Sequence, residues 1–248
     1  MDLGISDRRA AIAGASSGLG LATARTLAGE GVRVAICGRD ASRLDAAAAT
    51  IDGDVTTVVA DVSTREGAVA FVEDAAAAMG GIDILVANAG GPPSGTFAST
   101  AYEAYQTALD LNLLSVVAMC QAAVPAMVAQ GWGRVLAITS VSVRQPIPHL
   151  ILSNTARAGV TGFLKTLALE VAGAGVTVNS ILPGSHDTDR LRSLYGGDAA
   201  GAAADIPTGH LGQPDDFGAV AAFLCSAHAR FITGAAIPVE GGAYRALL

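Results

Sequence analysis

The sequence predicts an α/β fold, a single doubly wound parallel sheet of about seven strands with helices on both faces. Three observations carry that prediction. Short β-branched runs alternate with longer helical patterns along the chain, as βαβ units require. The composition is 51% hydrophobic but only 4% aromatic, which describes a core of Ala, Val, Ile and Leu suited to strands covered on both sides. Glycines and single polar residues collect where the apolar runs end, and in an open parallel sheet those carboxyl ends gather the ligand.

The elements follow in order. Ala10 to Ala13 is an apolar run, a glycine-rich turn follows, and Leu21 to Ala28 has helical periodicity. Val32 to Cys37 reads as a strand, Ser42 to Ile51 as a helix, Val55 to Ala60 as a strand and Thr64 to Met79 as a helix. Ile82 to Ala87 is the fourth strand. Two helical stretches come next, Thr100 to Leu109 and Leu111 to Gln130, then a strand at Arg134 to Thr139. Ser153 to Ala172 is a long helix, Val176 to Leu182 a strand, Pro214 to Ser226 a helix and Ala236 to Val239 a last strand. No low-complexity hinge or break in composition divides the chain, so 1–248 reads as one domain.

The stretch Gly14-Ala15-Ser16-Ser17-Gly18-Leu19-Gly20 joins the first strand to the first helix. A strand, a glycine turn and a helix in that order make a phosphate cradle. Gly14 serves the tight turn, Gly18 lets backbone approach a diphosphate, Gly20 lets helix and strand pack closely, and the helix N-terminus presents unpaired N–H groups. Alone, such a loop also serves plain turns. The other strand ends add Gly38-Arg39, Asp61-Val62, Asn88-Ala89-Gly90, Thr139-Ser140 and Pro183-Gly184.

Net charge is −7, which argues against a nucleic-acid surface. Cys37, Cys120 and Cys225 have neither metal-ligand nor disulfide-framework spacing and read as buried thiols in a reducing compartment. No uninterrupted apolar run of ~18 residues and no leader pattern is present, so the expectation is a cytoplasmic protein with no membrane or metal partner.

Taken together, Gly14 to Gly20, Asp61-Val62, Asn88-Ala89-Gly90, Asn112, Ser140, Pro183-Gly184 with Thr188, and Gly234 to Gly242 make the chain resemble a short-chain dehydrogenase/reductase over essentially its whole length. The resemblance implies a Rossmann-type fold, a nicotinamide cofactor and hydride transfer to or from a small carbonyl or alcohol. It implies that Asp61 and Val62 meet the adenine, that Asn88 and Gly90 hold the ribose region, and that Pro183 and Thr188 belong to the nicotinamide loop. At the end of the second strand a carboxylate would favour NAD(H); this chain has Arg39, with Ser16 nearby, which favours NADP(H). A solvated surface charge is the alternative for Arg39, and Asp40 beside it blunts its field.

The catalytic region departs from the family. Where its best-known branch has a tyrosine and, one helical turn on, a lysine, this chain has Ser153 and Arg157. Both remain on one helix face. Arg157 keeps the charge that would hold the nicotinamide ribose but cannot relay a proton, and an alkyl hydroxyl is a far weaker acid than a phenol. The pattern resembles a divergent bacterial branch, commonly labelled acyl-carrier-protein ketoreductase homologues, in which Ser-Asn and an arginine replace the usual pair. Three readings stand: a reductase using Ser140, Ser153, Arg157 and Asn112, with His149 or His186 as further acid candidates; a non-redox enzyme such as a dehydratase, isomerase or cyclase; or a nucleotide-binding protein without catalysis.

Gly91 to Gly95 forms a stiff loop at the cleft mouth, and Ser185 to Gln213 is the place for a mobile lid. Asp187, Asp189, Arg190 and Arg192 in it read as a salt-bridged surface helix. The small residues Ala156, Ala158, Gly159 and Gly162 permit close helix packing, and the resemblance implies a homodimer or homotetramer.

Overall fold

The computed structural model describes residues 1–195 and 200–247. Seven strands form one sheet in the order β3-β2-β1-β4-β5-β6-β7: β1 Arg9–Ile12, β2 Arg33–Gly38, β3 Val55–Val59, β4 Ile84–Ala87, β5 Gly133–Ile138, β6 Val176–Pro183 and β7 Ala236–Val239. Every pairing is parallel. The chain winds outward from β1 to β3, returns to place β4 beside β1, and winds the other way, so the order reverses between β1 and β4. β4 and β5 are buried from end to end and are unbroken apolar runs but for Arg134, whereas the edge strand β7 is half-buried throughout.

The crossovers lay helices on both faces. One core layer packs α1 (Gly18–Gly29) and α2 (Ala41–Ala48) through Leu27 and Leu44, together with Phe217 of the late helix Pro214–Leu224. The other packs α3 (Arg65–Met79), α5 (Ser115–Gln130) and α6 (Ile151–Val171) through Phe71, Met119 and Leu164. α4 (Glu103–Leu109) precedes α5, α7 (Asp189–Leu194) and α8 (Ala200–Ala203) follow β6, and the late helix is α9.

Several boundaries differ from the sequence expectation. The two stretches expected around Asp110 are one helical run, because Asp110–Leu114 forms a π-turn that carries α4 into α5 without a break. That run, Glu103–Gln130, is long and apolar enough to cross a membrane by length and composition; half of its most apolar window is buried against the core. α1 opens at Gly18, so the glycine turn and the first helical turn share residues. α2 stops at Ala48, short of Ile51, and α6 starts at Ile151, before Ser153. The Ser185 to Gln213 stretch contains α7 and α8; Gly196 and Gly197 lie outside the described residues.

The end of the sheet remote from the cleft is fastened by Asp83, whose side chain is 3% exposed. It accepts the Arg9 backbone N–H at 3.0 Å, Nε at 2.7 Å and Nη2 at 3.0 Å, with Arg8 Nη1 at 3.4 Å. Burial alone would push its carboxyl up, but Arg9 and Arg8 outweigh that and hold it below the usual carboxylate range. A depressed carboxyl adds stability above its unfolded value and loses it as pH falls through the folded one. Asp83→Asn is therefore expected to cost about 3 kcal/mol in urea unfolding at pH 7, with the gap to the wild type closing below about pH 4.

Candidate active site

The parallel carboxyl ends open on one rim, and between them lies a cleft of ≈ 700 Å³. The glycine turn hangs there between both neighbours of β1: Ala13 N–H donates to Val86 O at 3.0 Å and Ala15 N–H to Cys37 O at 2.9 Å. Gly14 and Gly18 take left-handed backbone, φ +58° and +57°, which any side chain would strain. A Cβ on Gly20 would lie 2.5 Å from the Gly14 carbonyl oxygen and 2.8 Å from Asn88 Nδ2. Asn88 Nδ2 itself donates to Gly14 O at 3.0 Å, so the end of β4 locks the turn. The Ser17 hydroxyl does not cap α1, and Ser17, Gly18 and Leu19 line the cleft beside the free first-turn N–H groups.

At the ends of β2 and β3, Arg39 stands with its side chain 75% exposed, its Nη1 3.9 Å from Asp61 Oδ2. Ser16 occupies the room that a side chain on Gly38 would take, within 3.2 Å of that position. Asp40, expected to blunt Arg39, instead caps α2 by accepting Arg43 N–H at 3.0 Å and the Ser42 hydroxyl at 2.6 Å. Asp61 is the carboxylate that faces Arg39. Burial would raise its pKa, but the Ser63 N–H and O–H, then Arg39, hold it low. Val62 beside it is buried.

At the other end, Ser140, Ser153 and Arg157 line the cleft together with Asn88, Gly90, Pro183 and Thr188. Ser140 Oγ accepts the Ser142 N–H at 3.1 Å, which fixes one lone pair and leaves the hydroxyl hydrogen to donate. Ser153 is 7% and Arg157 8% exposed. Among the described residues Arg157 makes one hydrogen bond, Nη1 to Ile138 O at 3.0 Å. Burial, and after it the charge of Arg190, push the guanidinium down to about 10, so it remains a cation at neutral pH.

Asn112 does not line the cleft. It sits in the π-turn behind the wall, 3% exposed, where Nδ2 donates to Gly90 O at 2.9 Å and Oδ1 is buried without a protein partner. Through that bond it positions the loop after β4. Of the two histidines, His186 lines the cleft but is packed edge-on against Phe217, with Nδ1 3.3 Å from Gly184 O; burial lowers its pKa and keeps it neutral. His149 is exposed at the cleft, and its carbonyl accepts Gly95 N–H at 2.8 Å.

Three features escaped the sequence reading. Asn154 clamps the segment before α6, donating from Nδ2 to Ile147 O at 2.9 Å, and so holds the loop that carries Ser140. Tyr195 and Tyr244 both bring phenols to the cleft wall from remote parts of the chain. Arg190 leaves the expected surface network: Arg192 alone pairs with Asp187 and Asp189, at 2.7 and 3.1 Å, while Arg190 Nη2 donates to Pro92 O at 2.8 Å. Side-chain reach across a fold has no periodic signature.

A family model described as enoyl-(acyl carrier protein) reductase matches residues 14–244. Human dehydrogenase/reductase SDR family member 4 is 32% identical over 244 residues, 96% of this chain and 88% of the relative. The Escherichia coli 3-oxoacyl-[acyl-carrier-protein] reductase FabG is 33% identical over 235 residues, 95% and 96% of the two chains. Among solved structures, L-sorbose reductase from Gluconobacter frateurii, complexed with NADPH and L-sorbose, superposes with a TM-score of 0.93 at 35% identity, covering 100% of both chains. An NADPH-bound short-chain oxidoreductase from Pseudomonas aeruginosa, described as containing an atypical catalytic center, gives 0.90 at 34% identity over 97% and 99%.

A buried guanidinium with a single carbonyl acceptor costs the folded state, since its folded pKa lies below the unfolded 12.5 and the penalty is full at every pH below about 10. Arg157→Met is accordingly expected to raise stability at pH 7 by about 1 kcal/mol, measured by urea unfolding of the protein alone. A lowered midpoint would show that the cation is a structural element instead.

Proposed function

The chain belongs to the short-chain dehydrogenase/reductase family, and from that premise we propose that it is an NADP(H)-dependent oxidoreductase acting between a small carbonyl compound and its alcohol. The observation that carries this reading is the single cleft in which the glycine turn, two serines and a buried cation meet. The cofactor's fit is supported by three features: a helix N-terminus with free donors, a strand end bearing Arg39 and Ser16 with no side chain on Gly38 between them, and Arg157 with donors to spare beside the cleft. The NADPH held by the sorbose reductase and by the Pseudomonas oxidoreductase supports the same choice.

When bound, the dinucleotide supplies or accepts hydride. The chain's own groups do the rest. The N-terminus of α1 with Ser17, Gly18 and Leu19 holds the diphosphate, Arg39 and Ser16 the 2′-phosphate, and Asp61 and Val62 the adenine. Asn88 and Gly90 hold the ribose region, Pro183 and Thr188 flank the nicotinamide, and Arg157 donates a fork of N–H groups to ribose hydroxyls. Ser140 donates its hydroxyl hydrogen to the substrate oxygen. Ser153, too weak an acid to ionise, relays a proton between that oxygen and solvent water, taking one from the water as it gives its own to the oxygen, or the reverse, while the fixed charge of Arg157 stabilises the negative charge developing there. The atypical catalytic center described for the Pseudomonas relative supports a working site that departs from the family pattern.

The same reading takes 185–213 as the lid and the protein as a cytoplasmic homodimer or homotetramer. The exposed Leu169 and Phe231 support an association surface, and three buried free thiols suit a reducing compartment.

The test is a fluorescence titration with NADPH and NADH. Wild type is expected to prefer NADPH; Arg39→Ala is expected to weaken NADPH by about ten- to hundredfold and leave NADH within twofold. No binding of either dinucleotide would overturn the reading. Once a substrate is found, Ser153→Ala should lower kcat by about a hundredfold at unchanged NADPH affinity.

A further inference from the structure

Arg190 is seated rather than free. Its guanidinium lies on the backbone after β4, where a Cβ on Gly91 would stand 3.0 Å from Nη2, 3.2 Å from Nε and 3.3 Å from Cζ. A side chain at residue 91 would force the guanidinium to give way by a few tenths of an ångström. Nη2 is anchored to Pro92 O, and Thr188, which accepts Leu191 N–H at 3.3 Å, fixes the start of the helix that carries the arginine. Thr188 Cγ2 is itself 3.6 Å from the Cβ position of Gly18, so the helix begins directly over the glycine turn.

The seat places a second cation in the cleft that already holds Arg157, and Arg157 feels its charge. Two like charges lining one cleft repel each other. Among the described residues the cleft offers them no carboxylate: Asp189, the acidic residue on its wall, is engaged by Arg192 at 3.1 Å. In a chain of net charge −7, this pair is a local reversal of sign.

We propose that Arg190 and Arg157 form an anion site that receives an anionic oxygen group, either the carboxylate of an oxo- or hydroxy-acid substrate or the diphosphate of the cofactor. This rests on the dinucleotide reading above. Arg190 approaches the group from the lid side and Arg157 from the floor. The guanidinium's remaining N–H groups supply the charge-assisted bonds, and the Pro92 anchor preserves its geometry when the cleft is empty of anion. Binding an anion there relieves the repulsion between the two cations and draws α7 against the loop after β4.

The experiment compares wild type, Arg190→Ala, Arg190→Gln and, as a charge control remote from the cleft, Arg25→Ala, each first checked for an unchanged melting temperature. Two arms separate the sources. NADPH and ADP-ribose, which keeps the diphosphate without the nicotinamide, are titrated by fluorescence and calorimetry. Pyruvate and methyl pyruvate are then titrated against protein with and without NADPH. A loss of about tenfold or more for both NADPH and ADP-ribose in the two Arg190 variants, with Arg25→Ala within twofold, assigns the site to the diphosphate. A wild-type preference for pyruvate over its ester that vanishes in the Arg190 variants assigns it to a substrate carboxylate. Wild-type binding of NADPH with Arg190 variants within twofold on every arm overturns the proposal alone. Failure of wild type to bind NADPH overturns the dinucleotide reading, and the pyruvate arm without cofactor then decides the anion site by the same ester comparison.

Discussion

The pairing of β1 with β4 is the seam from which the site is built. Because β1 is bonded in parallel to β2 on one side and β4 on the other, the chain leaves it at the one place where the winding reverses, and no crossover helix covers that spot. Ala13 and Ala15 bond outward to the two neighbours, and Asn88 at the end of β4 reaches back to the Gly14 carbonyl. The left-handed backbone of Gly14 and Gly18 is thus fixed by strands rather than by the loop itself, and the helix behind it presents its donors in a set direction. A Cβ on Gly20 would strike both halves of that lock, so the spacing of the glycines and the strand order express one constraint.

The opposite wall obeys a different economy. Arg157 lies inside the protein on one carbonyl, Ile138 O, at the end of β5. A buried cation held so sparingly is poor structural glue, since the attraction of a single dipole does not restore what water provided. Its place makes physical sense as an electrostatic fixture aimed into the cleft, where low dielectric magnifies its effect on charge that forms nearby. Ser140 is held by Ser142 N–H, the loop between Ser140 and α6 is clamped by Asn154, and Asn112 supports Gly90 from behind. These supports limit the movement of the groups that would meet a substrate.

Much of this was legible before any coordinates. The alternation of apolar runs with helical periods fixed the number of strands and their parallel sense, and the resemblance placed Ser140, Ser153 and Arg157, which the structure brings to one cleft. What periodicity could not carry was the continuity of α4 into α5, because a π-turn widens the helix by one residue without breaking its apolar stripe. Nor could it separate Arg190 from Arg192. Both read as charges on a short polar helix, yet one bonds its own helix and the other crosses to Pro92, a distinction set by tertiary reach and by the bare backbone of Gly91. The resemblance singled out Asn112, but periodicity could not show that the π-turn aims its Nδ2 at the Gly90 carbonyl.

The exchange of a phenol and an ammonium for Ser153 and Arg157 redistributes two tasks rather than deleting them. A phenol beside an ammonium combines acidity, reach and a proton path in one side chain, because the neighbouring cation lowers its pKa toward neutrality. A serine hydroxyl beside a guanidinium keeps the path but neither the acidity nor the reach, since its pKa lies far above any that one cation can bring into range. Under the proposed reading the charge of Arg157 acts on the substrate oxygen directly, and the substrate or groups from elsewhere on the wall fill the space that a ring would take. Tyr195, just after α7, Tyr244 and Arg190 line the same cleft. Under the proposed reading, two guanidinium groups lining one cleft make it more strongly positive than a lysine alone would, which favours a partner that carries or develops negative charge.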